Sequence, residues 1–305
     1  MNITCFASNV YQLAICRLAL AFYKPVRLTI VYCEEFINKN NPFLSYIDGL
    51  VGVELIPVSE KKHNGEDGSK AVTRCQNVLD AVIASDLSIF GDPYLYSQRF
   101  YIGLAKEDAM LEDSPTLFSY YRYRSTLSLV RRWIGEYFMR HPRFEDTALC
   151  IGLSKRNNCQ SKSYLNLLEK VSEDTLSLIK DEIKAVFASE FSKLASIFNE
   201  NNTVLLLTQP LASDNDAKTI DQQIDYYMKA RERLNECGFR VFFKLHPRDI
   251  AQNISYPLKD AEILNFSAPM ELFEDEIKKS FSAIASCNSY TLVESTSFSR
   301  IDLKI

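Results

Sequence analysis

No stretch of the 305-residue chain approaches the roughly 18 uninterrupted apolar residues of a membrane span. The opening MNITCFASNVYQL carries no basic segment ahead of its apolar residues, so it does not read as a signal peptide. The eight cysteines stand singly, without a CxxC pair or a Cys/His spacing that builds a tetrahedral zinc site. They read as free thiols of a reducing compartment, and a cytoplasmic protein is expected. Excess positive charge is missing too: the formal net charge is -4, so nothing draws the whole surface to nucleic acid, and anion binding must come from a local cluster. The chain lacks the GxGxxG, GxxxxGKS and GxSxG patterns, which leaves nicotinamide, P-loop and serine-hydrolase chemistry without their usual signatures.

What remains is ordinary globular material, 47% hydrophobic and 24% charged, long enough for two medium domains. Ile3–Phe6, a polar break at Ser8-Asn9, an apolar-periodic stretch Tyr11–Phe22 and the run Arg27–Tyr32 read as strand, loop, helix, strand. Further apolar runs occupy Leu87–Phe90, Tyr101–Leu104 and Ala109–Leu111. Three- and four-residue spacings make residues 160–200 look wholly helical. A second alternation follows: strand Thr203–Thr208, helix Ala217–Cys237 stopped by Gly238, then strands Arg240–Leu245, Glu262–Asn265, Phe281–Ala285 and Ile301–Ile305. Strands alternating with helices predict an α/β protein with parallel sheets, whose ligands sit at the carboxyl ends of strands. The expected organisation is an N-terminal Rossmann-like domain over 1–150, a helical connector over 151–202 and a C-terminal Rossmann-like domain over 203–305.

Five segments are candidates for chemistry. His246 ends the apolar run Val241-Phe242-Phe243 between Lys244, Pro247 and Arg248, which puts an imidazole and two cations at the carboxyl end of a strand. His141-Pro142-Arg143 repeats the tripeptide but follows a helical stretch, where Pro, His and Arg suit a helix terminus. Ser286-Cys287-Asn288-Ser289-Tyr290-Thr291 lies between an apolar run and an expected helix, and serves equally as an anion site or as a helix cap. Glu112-Asp113 closes a strand of the first half, where a carboxylate can act as general base or simply be a solvated turn acid. Asp214-Asn215-Asp216 has the spacing of a metal-diphosphate motif, but precedes a helix and reads first as its cap.

The stretch from Thr203-Val204-Leu205-Leu206-Leu207-Thr208-Gln209-Pro210-Leu211, through a long helix, to Phe242-Phe243-Lys244-Leu245-His246-Pro247-Arg248 resembles the nucleotide-binding half of bacterial sialyltransferases. These are the lipooligosaccharide sialyltransferase and capsular polysialyltransferase families, of the GT-B architecture in which two Rossmann-like domains face a cleft. The resemblance implies that His246-Pro247 is the family's His-Pro motif. It likens Asn288-Ser289 with Thr291 to the later Ser/Thr motif, and Glu112-Asp113-Ser114 to the acidic motif that supplies the base. The opening Cys5–Leu13 is similar to the family's Cys-x-Thr-Pro-x-Gln-Leu start and puts Ser8, Asn9 and Gln12 on the acceptor side. The sequence departs from the family pattern where Ser114 replaces Gly, Asn288 replaces Ser and Ser8-Asn9 stands for Thr-Pro.

An inverting transfer from CMP-sialic acid to a hydroxyl of an oligosaccharide or glycolipid acceptor is implied, with Asp113 or Glu112 as base and His246 on the leaving phosphate. Donor contacts fall to Gln209, Pro210, Lys244, Pro247, Arg248, Asn288, Ser289 and Thr291. No cofactor and no metal is expected, because the leaving group carries one phosphate. The alternatives are transfer of another activated sugar, or a catalytically silent binding protein on the same fold. Residues 122–143 carry six arginines against Glu136 alone, with Val130, Trp133, Ile134, Tyr137 and Phe138 on one helical face. That composition suits docking on an anionic surface, either the inner membrane leaflet or an acidic acceptor; packing of this face into the N-terminal domain is the competing reading.

Overall fold

The computed structural model describes residues 1–64, 75–91, 95–111, 149–153, 164–197, 202–212, 217, 219–246, 249–250, 252–287 and 299–303. The chain divides into two compact units, Met1–Val186 and Phe187–Ile305.

The first unit is built on a seven-stranded parallel sheet: β1 (Asn2–Ala7), β2 (Arg27–Cys33), β3 (Val53–Val58), β4 (Leu87–Phe90), β5 (Glu107–Leu111), β6 (Cys150–Gly152) and β7 (Tyr164–Asn166). Their order across the sheet is β3-β2-β1-β4-β5-β6-β7. The winding therefore reverses between β1 and β4, which pair in register Ile3↔Leu87 to Cys5↔Ile89. All but Asn2 of β1 is buried, as is all of β4. Such continuous burial is the pattern of parallel strands covered on both faces. Phe6 stacks on Phe90 with ring centroids 4.7 Å apart, and Val78 and Val82 of the helix Gln76–Ile83 close over that pair. At the edge, β3 accepts Pro57 because a strand paired on one side only can forgo a ladder donor.

The second unit repeats the winding on a smaller scale. Strands β8 (Thr203–Leu207), β9 (Arg240–Lys244), β10 (Ala283–Ser286) and β11 (Ser299–Asp302) lie in the order β11-β10-β8-β9, all parallel. A single parallel bridge from Phe243 to Ile263 continues the sheet beyond β9. Here the reversal falls between β8 and β10. The helix Ile220–Glu236 packs through Tyr227, Ala230 and Leu234 on Val204, Leu206, Val241 and Phe243.

Several sequence expectations are corrected. Residues 160–200 are not wholly helical: Tyr164–Asn166 forms β7, and the helices Glu173–Val186 and Ala188–Ser196 break at Phe187, the junction of the two units. Tyr101–Leu104 is a turn, with Tyr101 fully buried by its ring rather than by strand pairing. Glu262–Asn265 supplies only the bridge at Ile263, since Asp260–Glu262 is a 3-10 turn stapled by Lys259 and Glu262. The strands expected at Phe281–Ala285 and Ile301–Ile305 form at Ala283–Ser286 and Ser299–Asp302. Among the described residues no helix is long and apolar enough to cross a membrane.

Candidate functional site

In the second unit the carboxyl ends of β8, β9 and β10 bring together Thr208, Gln209, Lys244, His246, Ser286 and Cys287. His246 follows β9 by two residues, and its backbone is tied on both sides. Its N–H donates to the Thr208 hydroxyl at 2.8 Å, and its carbonyl accepts from the amides of Asp249 at 2.9 Å and Ile250 at 3.2 Å. Thr208 is itself fixed, because its N–H donates to the Lys244 carbonyl and its hydroxyl donates to Asp249 Oδ2 at 2.8 Å.

Asp249 is fully buried. Its carboxylate accepts from Thr208, from Gln223 Nε2 at 3.0 Å and from the Tyr256 hydroxyl at 3.0 Å. Gln223 turns its other end outward and accepts from the Ala212 N–H at 2.9 Å. Gln209 donates its N–H to Tyr227 at 2.6 Å. The loop after β8, which holds Gln209 and Pro210, is thus anchored to the same buried group of side chains as the loop after β9. Burial raises the pKa of both Tyr227 and Tyr256, which keeps their hydroxyls protonated and able to donate.

Lys244 has different company. It is half-buried at the end of β9, where burial lowers its pKa and Glu271 and Glu190 act against that shift. Glu190 in turn accepts from the amides of Ser267 at 2.6 Å and Ala268 at 3.3 Å, although burial leaves its pKa raised overall. The two glutamates offset only part of the effect of burial on Lys244. Pro247, Arg248, Asn288, Ser289, Thr291 and the Asp214-Asn215-Asp216 segment lie outside the described residues.

In the first unit, the residues expected on the acceptor side sit where the winding reverses. Asn9 caps the helix Val10–Tyr23 by accepting from the Gln12 N–H at 2.8 Å, a contact typically worth ~1 kcal/mol. Gln12 is fully buried; its Oε1 accepts from the Ser8 N–H and hydroxyl, and its Nε2 donates to the Gly91 carbonyl. Gln12 thus serves the loop after β1 from within the core, through Ser8 and Gly91. Next to them, Glu35 gathers donors from Ser59 Oγ, Cys33 Sγ and the Glu60 amide at the carboxyl ends of β2 and β3. Glu112 and Asp113, which directly follow β5, are outside the described residues, as are His141 and residues 122–143.

Thr208, Asp249, Gln223 and Tyr256 were not singled out by sequence reasoning. Only Asp249, the residue directly after His-Pro-Arg, offered a local signal.

The profile of the alpha-2,8-polysialyltransferase (POLYST) family matches residues 143–302, more than half of the chain and the whole of the segment from β6 to β11. The chain belongs to the alpha-2,8-polysialyltransferase family. As a member of it the chain is a glycosyltransferase, and His246 with its buried supports lies inside the part that matches the family. A search of curated proteins gave no match. Among solved structures, this polysialyltransferase-family chain is similar in fold to the S. aureus MnaA-UDP co-structure, at 13% identity and a TM-score of 0.50, over 100% of this chain and 79% of the other.

Proposed function

We propose that this chain is an inverting sialyltransferase of the GT-B architecture that moves sialic acid from CMP-sialic acid to a hydroxyl of a cell-surface glycan such as lipooligosaccharide, O-antigen or capsule. The observation that carries the reading is His246, tethered at the carboxyl end of β9 through Thr208, one strand away from the β8/β10 reversal. Ligands of open α/β sheets bind at such a reversal, outside the carboxyl ends of the strands. Asn288, Ser289 and Thr291 follow β10 in the sequence.

In the proposed reaction an acceptor hydroxyl attacks the anomeric carbon while the bond to the phosphate oxygen breaks on the opposite face. The hydroxyl proton passes to Asp113, or to its neighbour Glu112, and CMP leaves with the bonding pair. His246 donates a hydrogen bond to the phosphate as its charge grows, with Ser289 and Arg248 adding to the stabilisation. Lys244 acts at longer range, from the end of β9 in the field of Glu190 and Glu271. A single phosphate requires no divalent ion, and the proposed enzyme works without one.

The test is CMP release from CMP-sialic acid in the presence of a glycan acceptor, with and without EDTA. His246→Ala should lose about 10²- to 10³-fold in rate at unchanged melting temperature, whereas His141→Ala should be nearly silent. Turnover of a nucleotide diphosphate sugar instead, abolished by EDTA and restored by magnesium, would replace the CMP-sialic acid assignment.

A further inference from the structure

The loop that carries His246 is closed into a ring of hydrogen bonds with Thr208 and Asp249. The His246 amide donates to Thr208 Oγ1, Thr208 Oγ1 donates to Asp249 Oδ2, and the Asp249 amide returns to the His246 carbonyl. A threonine hydroxyl has one proton, and here it goes to the carboxylate, which leaves the oxygen's lone pairs for the His246 amide. Both sides of the peptide at residue 246 are thereby held. Thr208 is 2% exposed and Asp249 0%, so water does not compete for these bonds. A carboxylate in such a position costs several kcal/mol unless its lone pairs are filled. Among the described residues the donors that fill them are neutral: Thr208, Gln223 and Tyr256. Folding alone could be served by apolar side chains of the same volume, which makes a fully buried carboxyl group bonded into this loop unusual.

We propose that Thr208 and Asp249 are positioning residues, which set the backbone at His246 so that its imidazole meets the departing phosphate. The assignment rests on the reading of His246 given above. Asp249 acts only through Thr208 and through its own amide, while Tyr256 and Gln223 complete its shell from the far side. The division of labour is specific: removing the Thr208 hydroxyl leaves the His246 amide without its acceptor and Asp249 without a donor, whereas removing the Tyr256 hydroxyl takes a donor from Asp249 and an acceptor from Gln223 Nε2 but leaves the bond from the His246 amide to Thr208 in place.

The experiment compares Thr208→Val, Thr208→Ser and Tyr256→Phe in the full chain. It measures kcat, the KM for CMP-sialic acid, the melting temperature and the backbone amide resonance of His246, assigned by its absence in His246→Ala. Thr208→Val should shift the His246 resonance and lower kcat by about 10- to 100-fold with KM changed by less than about two-fold, as expected of a small misplacement of a reacting group. Thr208→Ser should restore both. Tyr256→Phe should lose stability comparable to that of Thr208→Val while keeping most of kcat. Equal losses of kcat in Thr208→Val and Tyr256→Phe, following melting temperature alone, would overturn the proposal, as would a Thr208→Val enzyme of normal kcat beside an inactive His246→Ala. An active His246→Ala would overturn the catalytic reading and the positioning proposal together, whereas an inactive His246→Ala beside an unmoved His246 resonance in Thr208→Val would overturn the positioning proposal alone.

Discussion

Gly91 and Gln12 are packed so closely that a Cβ on the glycine would lie 2.4 Å from Gln12 Oε1, and 2.7 Å from the Phe6 carbonyl beyond it. Gly91→Ala therefore forces β1 and β4 apart at the reversal in the first sheet. Overpacking of this kind costs about 1–3 kcal/mol, and a chemical-denaturation midpoint should report it. Adding Gln12→Ala should recover only part of the loss, since the Phe6 carbonyl is backbone and stays in place. Full recovery in the double variant would show that the side chain was the only obstacle.

Glu35 links acid stability to the carboxyl ends of β2 and β3. Burial alone would raise its pKa, but donors from Ser59, Cys33 and the Glu60 amide outweigh it and hold the carboxyl at about 2, against an ordinary 4.5. A folded-state pKa below the unfolded one means that the group stabilises the protein above about pH 4.5 and loses that contribution as pH falls towards about 2. Glu35→Gln should flatten the dependence of stability on pH within that window and lower stability at pH 7. Urea midpoints measured at intervals from pH 7 to the lowest pH that keeps the wild type folded would show it; parallel curves would count against the assignment.

Asp113→Asn is expected to reduce turnover by at least about 10²-fold while leaving CMP affinity almost unchanged, because a base acts on the acceptor and not on the donor. Glu112→Gln is the comparison that separates the neighbours. Two active variants would move the base elsewhere, with the Asp214–Asp216 loop as the next segment to test.

Charge reversal at Arg131 and Arg132 should weaken sedimentation with vesicles containing anionic lipid, at about 1 kcal/mol per basic residue brought to the surface. If the segment serves an acidic acceptor, the same double Glu variant should raise the acceptor KM. Unaltered vesicle binding together with an unaltered KM would assign the arginines to neither task.

Legibility in the sequence followed how local each signal was. β1, β2, β8 and β9 are apolar runs bounded by polar breaks, and their register follows from burial on both faces. The edge strand Val53–Val58 was missed because Pro57 and a partly polar pattern look like loop until its place at the sheet margin is known. Tyr101–Leu104 misled in the opposite direction, since its apolar residues pack on Phe6 and Val78 from a turn. His246 could be read because a strand, a cation and a His-Pro pair are adjacent in sequence. Its supports could not: Thr208 and Asp249 meet across 41 residues, and Gln223 reaches Asp249 from a helix whose pattern marks only its apolar face. Nor did the charge of Lys244 reveal that Glu190 and Glu271, distant in sequence, act on it.

Because Asp249 draws on several side chains at once, evolution at this spot has few single steps open to it. Exchange of Thr208, Gln223 or Tyr256 alone strands a donor or an acceptor in a dry place, with a typical loss of about 1–3 kcal/mol. Drift should therefore pass these four positions in concert or not at all. Relatives that replace Asp249 by an apolar residue should carry compensating changes at 208, 223 and 256, so that the four columns co-vary although they lie in three separate stretches of chain.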